Sequence, residues 1–270
     1  MTERPLEITS LTKIFPAPDG PHVAVKDFEA RIWPGEIVAL LGHSGCGKST
    51  VLSIVAGLQA ATFGGVVVDG REIDGPGLER AMVFQSPSLL PWMTAMENVL
   101  LAVRQAHASK SRRKQKLIAE KYIDLVGVAE YADQRPAELS QGTQQRVAIA
   151  RGFSQEPRFL LLDEPFGALD SITRFQLQDL LLELWEQSPR TIILVTHDVD
   201  EALYISDRIL LMTDGPESRV GMELRLPFPR PRGRLTVFGH PDYVALRDSV
   251  IGFLEDHSKQ FAGEQACVMA

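Results

Sequence analysis

The stretch Gly42-His43-Ser44-Gly45-Cys46-Gly47-Lys48-Ser49-Thr50 fits the pattern GxxxxGK(S/T). The apolar run over residues 37–41 comes before it and has the composition of a buried parallel strand. The apolar-rich segment 49–58 comes after it and predicts a helix. Because strand, glycine loop and helix are the context that the pattern requires, residues 42–50 are predicted to form a phosphate-binding loop.

The residue types of this loop suit a polyphosphate ligand. Glycines let successive backbone N–H groups turn toward one anion, and the following helix adds the positive end of its dipole. Lys48 would supply a mobile cation for the β- and γ-phosphates, and the hydroxyl of Ser49 would be placed to bind Mg²⁺. We expect Cys46 to be a small filler residue, with a reactive thiol beside Lys48 as the alternative.

Composition and charge narrow the class of protein. With 270 residues, of which 44% are hydrophobic and 23% are charged, the chain is typical of a globular domain with or without an appendage. The formal net charge of −7 argues against nucleic acid as a partner.

No apolar run reaches the ~18 residues of a spanning helix, so we expect no membrane span, and we expect no secretory signal. Cys46 and Cys267 make no disulfide framework, which fits a reducing compartment.

Two further predicted strands end in chemically active side chains. Residues 159–162 form an apolar run that ends in Asp163 and Glu164, and ligands of α/β sheets bind at such strand ends. Asp163 is expected to hold Mg²⁺ through water, and Glu164 to polarise an attacking water as a general base. His197 follows the apolar strand 191–196, and this position favours a functional role over a structural one.

A second helix end could also bind an anion. Ser140 is predicted to cap a helix whose first turn contains Gly142, although an ordinary capped helix is the alternative for this segment by itself. Phe15 could be a strand-end core residue or a stacking surface for a purine. The basic run 110–116 opens a predicted helix, either as a solvated face or as a surface attracted to anionic lipid.

The remaining pattern predicts the other elements. Residues 6–15 alternate apolar and polar before Pro16, which indicates an edge strand. The other predicted elements are a strand ending near residue 33, strands at 66–68, 81–84 and 207–212, helices after Thr94 and over 111–126 and 171–186, a short helix after Asp198, and a C-terminal helix over about 242–255.

The motifs together, in this order, resemble those of the ATP-binding subunits of ABC transporters. Over roughly residues 6–240 they resemble Walker A at Gly42–Ser49, the Q-loop at Gln85, the signature at Leu139-Ser140-Gln141-Gly142-Thr143, Walker B at Leu160–Glu164, the D-loop at Ala168-Leu169-Asp170 and the switch histidine at His197. Phe15 matches the adenine-stacking aromatic. One departure is that Gln141 and Thr143 replace a Gly and a Gln of the usual signature. The sequence leaves open whether Gln141 crowds the phosphate or adds a donor.

The resemblance implies a fold and a set of ligands. The implied fold is an α/β P-loop NTPase (ABC ATPase) with a mixed-sheet core, an antiparallel β subdomain and an inserted α-helical subdomain at about 86–155, within a domain over 6–240. Residues 241–270 would form a C-terminal helical appendage, for which packing is expected and regulation is the alternative.

The implied cofactors are ATP and Mg²⁺. The implied nucleotide contacts are Phe15, residues 42–50 and, in trans, Ser140, Gln141, Gly142 and Asp170. The implied metal ligands are Ser49, Gln85 and Asp163, and the implied catalytic residues are Glu164, His197 and Gln85.

Within that family, four stretches are similar to the nitrate/sulfonate/taurine importer group, and most similar to its nitrate, nitrite and cyanate branch. They are residues 84–92, which contain Phe-Gln and Leu-Leu-Pro-Trp, residues 198–202, residues 212–216, and residues 226–232, which contain Phe228-Pro229-Arg230-Pro231-Arg232. The similarity implies an energy-coupling ATPase on the cytoplasmic face of the bacterial inner membrane, with nitrate as the expected cargo and a sulfonate, taurine or bicarbonate as the alternative.

The implied partners are a second ATPase subunit, identical or paralogous, transmembrane permease subunits that contact residues 86–130, and indirectly an extracytoplasmic substrate-binding protein. A non-transport ABC ATPase acting on ribosomes or DNA is disfavoured by the single cassette and the negative charge. A P-loop kinase would not account for the helix at Ser140 or for His197.

Overall fold

The computed structural model of the chain describes residues 4–18 and 20–268, with side chains to residue 257. The chain divides into two compact units. The first comprises the described residues of Met1–Pro76 and Thr191–Ala270, and the second comprises Gly77–Arg190. The second unit is therefore an insertion in the sequence of the first. The predicted domain limits, 6–240 and 241–270 with a helical subdomain at 86–155, stay predictions.

The elements follow one another in mixed α/β order. They are β1 (Leu6–Phe15), β2 (His22–Ile32), β3 (Ile37–Leu41), α1 (Lys48–Val55), β4 (Phe63–Val68), β5 (Arg71–Glu72), β6 (Arg80–Val83), α2 (Ala95–Ala106), α3 (Arg112–Leu125), α4 (Gln141–Ser154), β7 (Phe159–Asp163), α5 (Ser171–Gln187), β8 (Thr191–Thr196), α6 (Val199–Ile205), β9 (Arg208–Met212), β10 (Val220–Arg225), α7 (Arg234–Phe238) and α8 (Tyr243–Val268). Short 3₁₀ turns occupy Ala129–Tyr131 and Pro136–Glu138.

The first unit contains a mixed sheet in the strand order β10-β9-β3-β8. β3 is parallel to both β8 and β9, and β10 closes the edge antiparallel to β9. Every residue of β3, β8 and β9 is buried, which is why these strands are continuous apolar runs in the sequence. The register pairs Leu41 with Thr196, so β3 and β8 end side by side at their carboxyl ends.

The first unit also contains an antiparallel sheet in the order β2-β1-β4-β5. β1 pairs with β2 on one side and with β4 on the other, so the expectation that residues 6–15 form an edge strand is wrong. Leu6 and Ile8 are buried in alternation at the start of β1, and after them a register shift between Ile8 and Leu11 leaves both Thr9 and Ser10 exposed. An alternating sequence therefore indicates that one face of the sheet is covered, and it does not indicate that the strand lies at the sheet edge.

The second unit combines the parallel pair β6–β7 with helices α2 to α5. α2 packs against α3 and α4. The helix starts carry the caps expected from the sequence, because the side chain of Thr94 accepts from Glu97 N in a full capping box and that of Ser111 accepts from Lys114 N. The α/β class with a mixed sheet, an antiparallel sheet and inserted helices is thus as predicted.

The C-terminal part of the first unit is more ordered than the sequence pattern indicated. β10 and α7 were not predicted, and α8 extends to Val268, beyond the expected end near residue 255. Among the helices of residues 4–18 and 20–268, none combines the length and the apolar composition that a bilayer span requires.

Candidate functional site

The predicted phosphate-binding loop lies between the buried strand β3 and helix α1. Gly45 and Gly47 have φ values of +84° and +91°, in the left-handed region that glycine alone adopts without strain. Gly47 is the N-cap of α1 and offers no side chain to the first turn. The N–H groups of that turn are therefore left without a cap from this residue, as a helix end that receives an anion requires.

Lys48 is held on the loop by the loop's own carbonyl groups. Its side chain is buried, with 4% of the residue exposed, and Nζ donates to Gly42 O at 2.8 Å and to His43 O at 2.7 Å. A buried ammonium group needs such acceptors because an uncompensated charge would be costly. The cation predicted for the phosphates is thus positioned on the loop and does not extend into solvent.

Cys46 is a filler residue and not a reactive thiol. It is 1% exposed, and burial raises the pKa of its thiol even though the nearby Lys48 ammonium acts in the opposite direction. A Cβ atom at Gly42 would lie 2.8 Å from Cys46 Sγ, so the sulfur fills the space that the glycine leaves. The thiolate needed for reactivity is disfavoured in this position.

A buried serine far along the chain supports the loop, and the sequence analysis missed it. Ser218 is fully buried, and its hydroxyl lies 2.9 Å from Ala24 O and also within hydrogen-bond distance of Cys46 O. A Cβ atom at Gly47 would lie 2.6 Å from Val25 Cγ2 and 3.4 Å from Ser218 Oγ. The loop is therefore closely backed on this side, and no local pattern around residue 218 marks that role.

His197 lies at the same edge of the mixed sheet as the phosphate-binding loop. The pairing of Leu41 with Thr196 means that the loop and His197 follow neighbouring strand ends in the first unit. His197 is exposed, and Asp198 begins α6 by accepting a hydrogen bond from Glu201 N at 3.0 Å. The structure thus brings together two of the predicted motifs that are separated by about 150 residues in the sequence.

Phe15 ends β1, where it pairs with His22. The residue is half-buried, and Lys13 Nζ lies 5.1 Å from the centroid of its ring. A partly exposed ring is compatible with both expectations for Phe15, a strand-end packing residue or a stacking surface. Its role in adenine stacking stays a prediction.

In the second unit, the structure brings Gln85 together with the two carboxylates. β6 and β7 pair in parallel with Val83 opposite Leu162, so Gln85 and Glu164 come just after neighbouring strand ends. Gln85 Nε2 lies 3.4 Å from Glu164 Oε2. Glu164 has a φ of +45°, which is uncommon for a residue other than glycine and is found preferentially at functional sites.

Three side chains that the sequence analysis missed hold residues 84–94, the segment that contains and follows Gln85. Arg151 on α4 donates to Ser88 O at 2.8 Å and to Pro87 O at 3.0 Å, and burial lowers the pKa of its guanidinium group. Gln145 on α4 donates to Phe84 O at 3.4 Å. Asn98 on α2 accepts from Leu90 N and donates to carbonyl groups of the same segment. Residues 84–94 are thus fixed by helices α2 and α4.

The structure also brings together the signature segment (residues 139–143) and the D-loop (residues 168–170). Ser140 caps α4 by accepting from Thr143 N at 3.1 Å, as predicted, and Asp170 caps α5. A Cβ atom at Gly142 would lie 2.6 Å from Thr173 Cγ2, so α4 and α5 touch at their first turns. The pKa of Asp170 is lowered by hydrogen bonds from the side chain and backbone of Thr173.

A cavity of about 340 Å³ lies at this junction in the second unit. Its lining includes all four residues predicted to act in trans, which are Ser140, Gln141, Gly142 and Asp170. It also includes residues that were not predicted to act in trans, which are Thr143, Arg146, Thr173 and Gln176. The predicted trans-acting residues therefore share one surface. Asp170 and Arg146 place one negative and one positive side chain on it.

The predicted Mg²⁺ ligands match the chemistry of that ion. Gln85 and Asp163 follow the paired strands β6 and β7 and carry amide and carboxylate oxygens, and Ser49 carries a hydroxyl in the first turn of α1. Among the described residues, no group of three or more His, Cys, Asp or Glu could hold a metal ion. Mg²⁺ does not need such a cage, because it retains waters and takes phosphate oxygens as ligands.

Comparison with known proteins gives relatives of one kind. The family described as ABC transporter matches residues 25–167. The chain is 50% identical over 94% of its length to the nitrate import ATP-binding protein NrtC of Synechocystis sp., but it spans only 38% of that longer protein. It is 46% identical over 92% of its length to the nitrate import ATP-binding protein NrtD of Synechococcus elongatus, of which it covers 91%.

Two further similarities concern another anion and a solved structure. The chain is 42% identical over 92% of its length to the bicarbonate transport ATP-binding protein CmpD of Synechocystis sp., of which it covers 88%. The dimeric structure of the ATP-binding cassette MJ0796 in a post-hydrolysis state with ADP and Pi has a TM-score of 0.73 and 32% identity. That similarity covers 82% of this chain and 98% of the other.

Proposed function

The chain belongs to the ABC transporter family, and on this basis we propose that it is the ATP-hydrolysing, energy-coupling subunit of an importer for a small anion. The observation that carries the proposal is the contact between Gln85 and Glu164, 3.4 Å apart at the ends of β6 and β7. In this contact the Glu164 carboxylate, which occupies the position of the general base in this family, has an amide partner. The phosphate-binding loop, residues 42–50, is the part of the chain that we propose to bind ATP.

Each step of the proposed reaction is assigned to residues of this chain. The phosphate-binding loop and Lys48 bind the β- and γ-phosphates, and Phe15 stacks on adenine. Glu164 accepts the proton of the attacking water, while Gln85 and His197 orient that water and the γ-phosphate. Ser49, Gln85 and Asp163 would hold the Mg²⁺ that neutralises charge on the phosphates.

A complete site requires a second ATPase subunit. Ser140, Gln141, Gly142 and Asp170 lie together on one surface of the second unit, and we assign them to the nucleotide of the partner. The related cassette MJ0796 forms a dimer with ADP and Pi bound, which supports this arrangement. In this scheme ATP draws two subunits together, and hydrolysis releases them.

The proposed partner in the membrane is a permease that contacts residues 86–130. Trp92, 65% exposed, and Leu101, 44% exposed, lie in this segment and could be covered by the proposed partner. We accordingly propose that the chain is a peripheral protein on the cytoplasmic face of the inner membrane, with an extracytoplasmic binding protein acting through the permease.

Nitrate is the proposed cargo, because the relatives NrtC and NrtD are nitrate import proteins at 50% and 46% identity. Bicarbonate is the second candidate, because the bicarbonate transport protein CmpD is 42% identical over a similar length. Import of a sulfonate or taurine remains an alternative from the sequence alone. The chain itself contributes ATP hydrolysis, and the permease and its receptor would select the anion.

The test is transport by the whole complex. The chain should be reconstituted in proteoliposomes with its cognate permease and receptor, and ATP hydrolysis and anion uptake should be measured together. We expect hydrolysis that rises with nitrate-loaded receptor, and nitrate accumulation that stops in Glu164→Gln. Uptake of bicarbonate but not nitrate would transfer the assignment to the second candidate. Absence of ATP hydrolysis in the assembled complex would reject the proposal.

A further inference from the structure

We propose that the C-terminal helix α8 positions the phosphate-binding loop through His43, a role that rests on the ATP-binding function proposed above. His43 Nε2 lies 3.0 Å from the backbone oxygen of Leu254, which is 211 residues away in the sequence. A carbonyl oxygen can only accept, so Nε2 carries the hydrogen and donates it. The loop that is predicted to bind ATP is thus tied by a side chain to the helix that was expected to be an appendage.

His43 is held at both of its polar ends. Its imidazole contacts α8, and its own carbonyl oxygen accepts from Lys48 Nζ at 2.7 Å. Displacement of the imidazole would move the backbone of residue 43 and therefore one of the two carbonyl groups that place the Lys48 ammonium. The contact between His43 and α8 can in this way affect the position of the Lys48 ammonium, although α8 itself need not contact the nucleotide.

The start of α8 is anchored to the helix that follows His197. Tyr243 Oη donates to Asp200 Oδ1 at 2.6 Å, and Arg247 Nε donates to the same oxygen at 2.7 Å. Burial disfavours the carboxylate of Asp200, but the hydrogen bonds from Arg247 and Tyr243 outweigh it and lower the pKa. Asp200 is on α6, so α8 connects the element after His197 with the loop around His43.

The middle of α8 packs on the hairpin that backs the loop. A Cβ atom at Gly221 on β10 would lie 2.6 Å from Phe253 Cζ, so the phenyl ring rests directly on that strand. Val250 on the same helix is fully buried. The β9–β10 hairpin in turn carries Ser218, which reaches Cys46 O. α8 therefore supports the loop directly at His43 and indirectly through the hairpin.

The expected consequence concerns nucleotide affinity. A loop that is already held in its binding conformation loses less conformational entropy when a ligand binds, and rigid preorganisation therefore raises affinity. If α8 only packed on the surface, its loosening would lower the melting temperature and leave the affinity of folded protein for ATP unchanged. If α8 positions the loop, its loosening raises the dissociation constant for ATP.

The first experiment measures the MgATP dissociation constant of the full chain by equilibrium titration in the Glu164→Gln background, where ATP hydrolysis is expected to be slow. His43→Leu removes the donor, and His43→Gln keeps an N–H group that can reach the Leu254 carbonyl. We expect His43→Leu to raise the dissociation constant about fivefold to tenfold, the weight of a lost hydrogen bond, and His43→Gln to restore most of the affinity. Equal affinity of the two variants would overturn the proposal.

The second experiment places the change far from the nucleotide. Phe253→Ala and the pair Tyr243→Phe with Arg247→Met loosen α8, and Val244→Ala, at an exposed position of the same helix, is the matched control. We expect Phe253→Ala and the Tyr243→Phe, Arg247→Met pair each to raise the ATP dissociation constant about threefold or more. In the His43→Leu background the same changes should raise it little further, because they act through the same contact. The control should match the parent protein.

The outcomes separate this proposal from the proposed function. Unchanged ATP affinity in the α8 variants, together with a lower melting temperature, would show that α8 only packs, and full additivity with His43→Leu would exclude a shared route. If the unmodified chain bound no MgATP, the proposed function would fail, and this proposal would fail with it.

Discussion

Gln85 Nε2 lies 3.4 Å from Glu164 Oε2, although 79 residues separate the two in the sequence. Their strands pair in parallel, and the left-handed φ of +45° at Glu164 turns the chain immediately after β7. An amide that donates to a carboxylate restricts the orientation of that carboxylate, and a general base has to be oriented toward the proton that it accepts. This geometry is what the proposed general base requires.

Replacement of Glu164 by Gln should separate ATP binding from hydrolysis. The amide keeps the size and shape of the side chain but cannot accept the proton of the attacking water. We expect the MgATP dissociation constant to change little and the hydrolysis rate to fall by roughly 10²–10⁴-fold, the usual weight of a general base. Steady-state phosphate release is the measurement. A variant that turns over as fast as the parent would remove Glu164 from this role.

A methyl group at Gly142 should disturb the junction of α4 and α5. Alanine is intrinsically favoured over glycine inside a helix, by about 1 kcal/mol, so propensity alone predicts stabilisation. The new Cβ would lie 2.6 Å from Thr173 Cγ2, however, and overpacking costs about 1–3 kcal/mol. We therefore expect Gly142→Ala to lower the free energy of unfolding measured by urea titration.

The matched control for that prediction removes the obstructing methyl group. Thr173→Ser deletes Cγ2 and keeps the hydroxyl, so the Gly142→Ala, Thr173→Ser double variant should recover most of the lost stability. A loss that the second substitution does not relieve would mean that the close contact with Thr173 is not its cause.

Removal of the Ser218 hydroxyl should weaken both the fold and the loop. The hydroxyl is fully buried, and its single hydrogen can be donated either to Cys46 O or to Ala24 O. Its loss leaves a buried acceptor without a partner, which costs about 1–3 kcal/mol. Ser218→Ala should lower the unfolding free energy by that amount and raise the ATP dissociation constant, whereas Ser249→Ala at an exposed position should do neither. Parity of the two variants would contradict the support role.

Cys46 should react slowly with alkylating reagents in the folded protein. Its thiol pKa is raised by burial, so at pH 8 the thiolate fraction is smaller than in the unfolded chain, and access to reagent is also low. Iodoacetamide labelling of the Cys46 peptide, followed by mass spectrometry, should proceed faster in denaturant than in the folded protein. Equal rates with and without denaturant would show that the thiol is accessible and ionisable in the native state.

Local patterns predicted the elements that carry their signal in a few residues. The apolar runs before residue 42 and before Asp163 became buried strands, and Thr94, Ser140 and Asp198 became helix caps. Their physical causes are short-range, namely burial on both faces of a strand and a side-chain oxygen near the first N–H groups of a helix. The order of those motifs was also sufficient for the family, which the comparisons confirmed.

Long-range contacts could not be predicted in this way. The alternating pattern before Pro16 predicts an edge strand, but alternation does not reveal how many neighbours a strand has, and β1 has two. Ser218 and Arg151 act on segments far from their own position, and the contact between His43 and Leu254 joins the two parts of the first unit. In each case the partner is chosen by the topology of the sheet or the packing of a helix, and a single sequence does not contain that information.

The central claim is that this chain forms only half of each ATP site, and the mass of the Glu164→Gln variant in solution tests it most directly. Multi-angle light scattering should be recorded during size-exclusion chromatography, without nucleotide and with MgATP. We expect a monomer without nucleotide and a doubled mass with MgATP, lost again when Ser140 is replaced by a bulky residue such as Phe. A variant that binds MgATP stoichiometrically and remains a monomer would contradict the account.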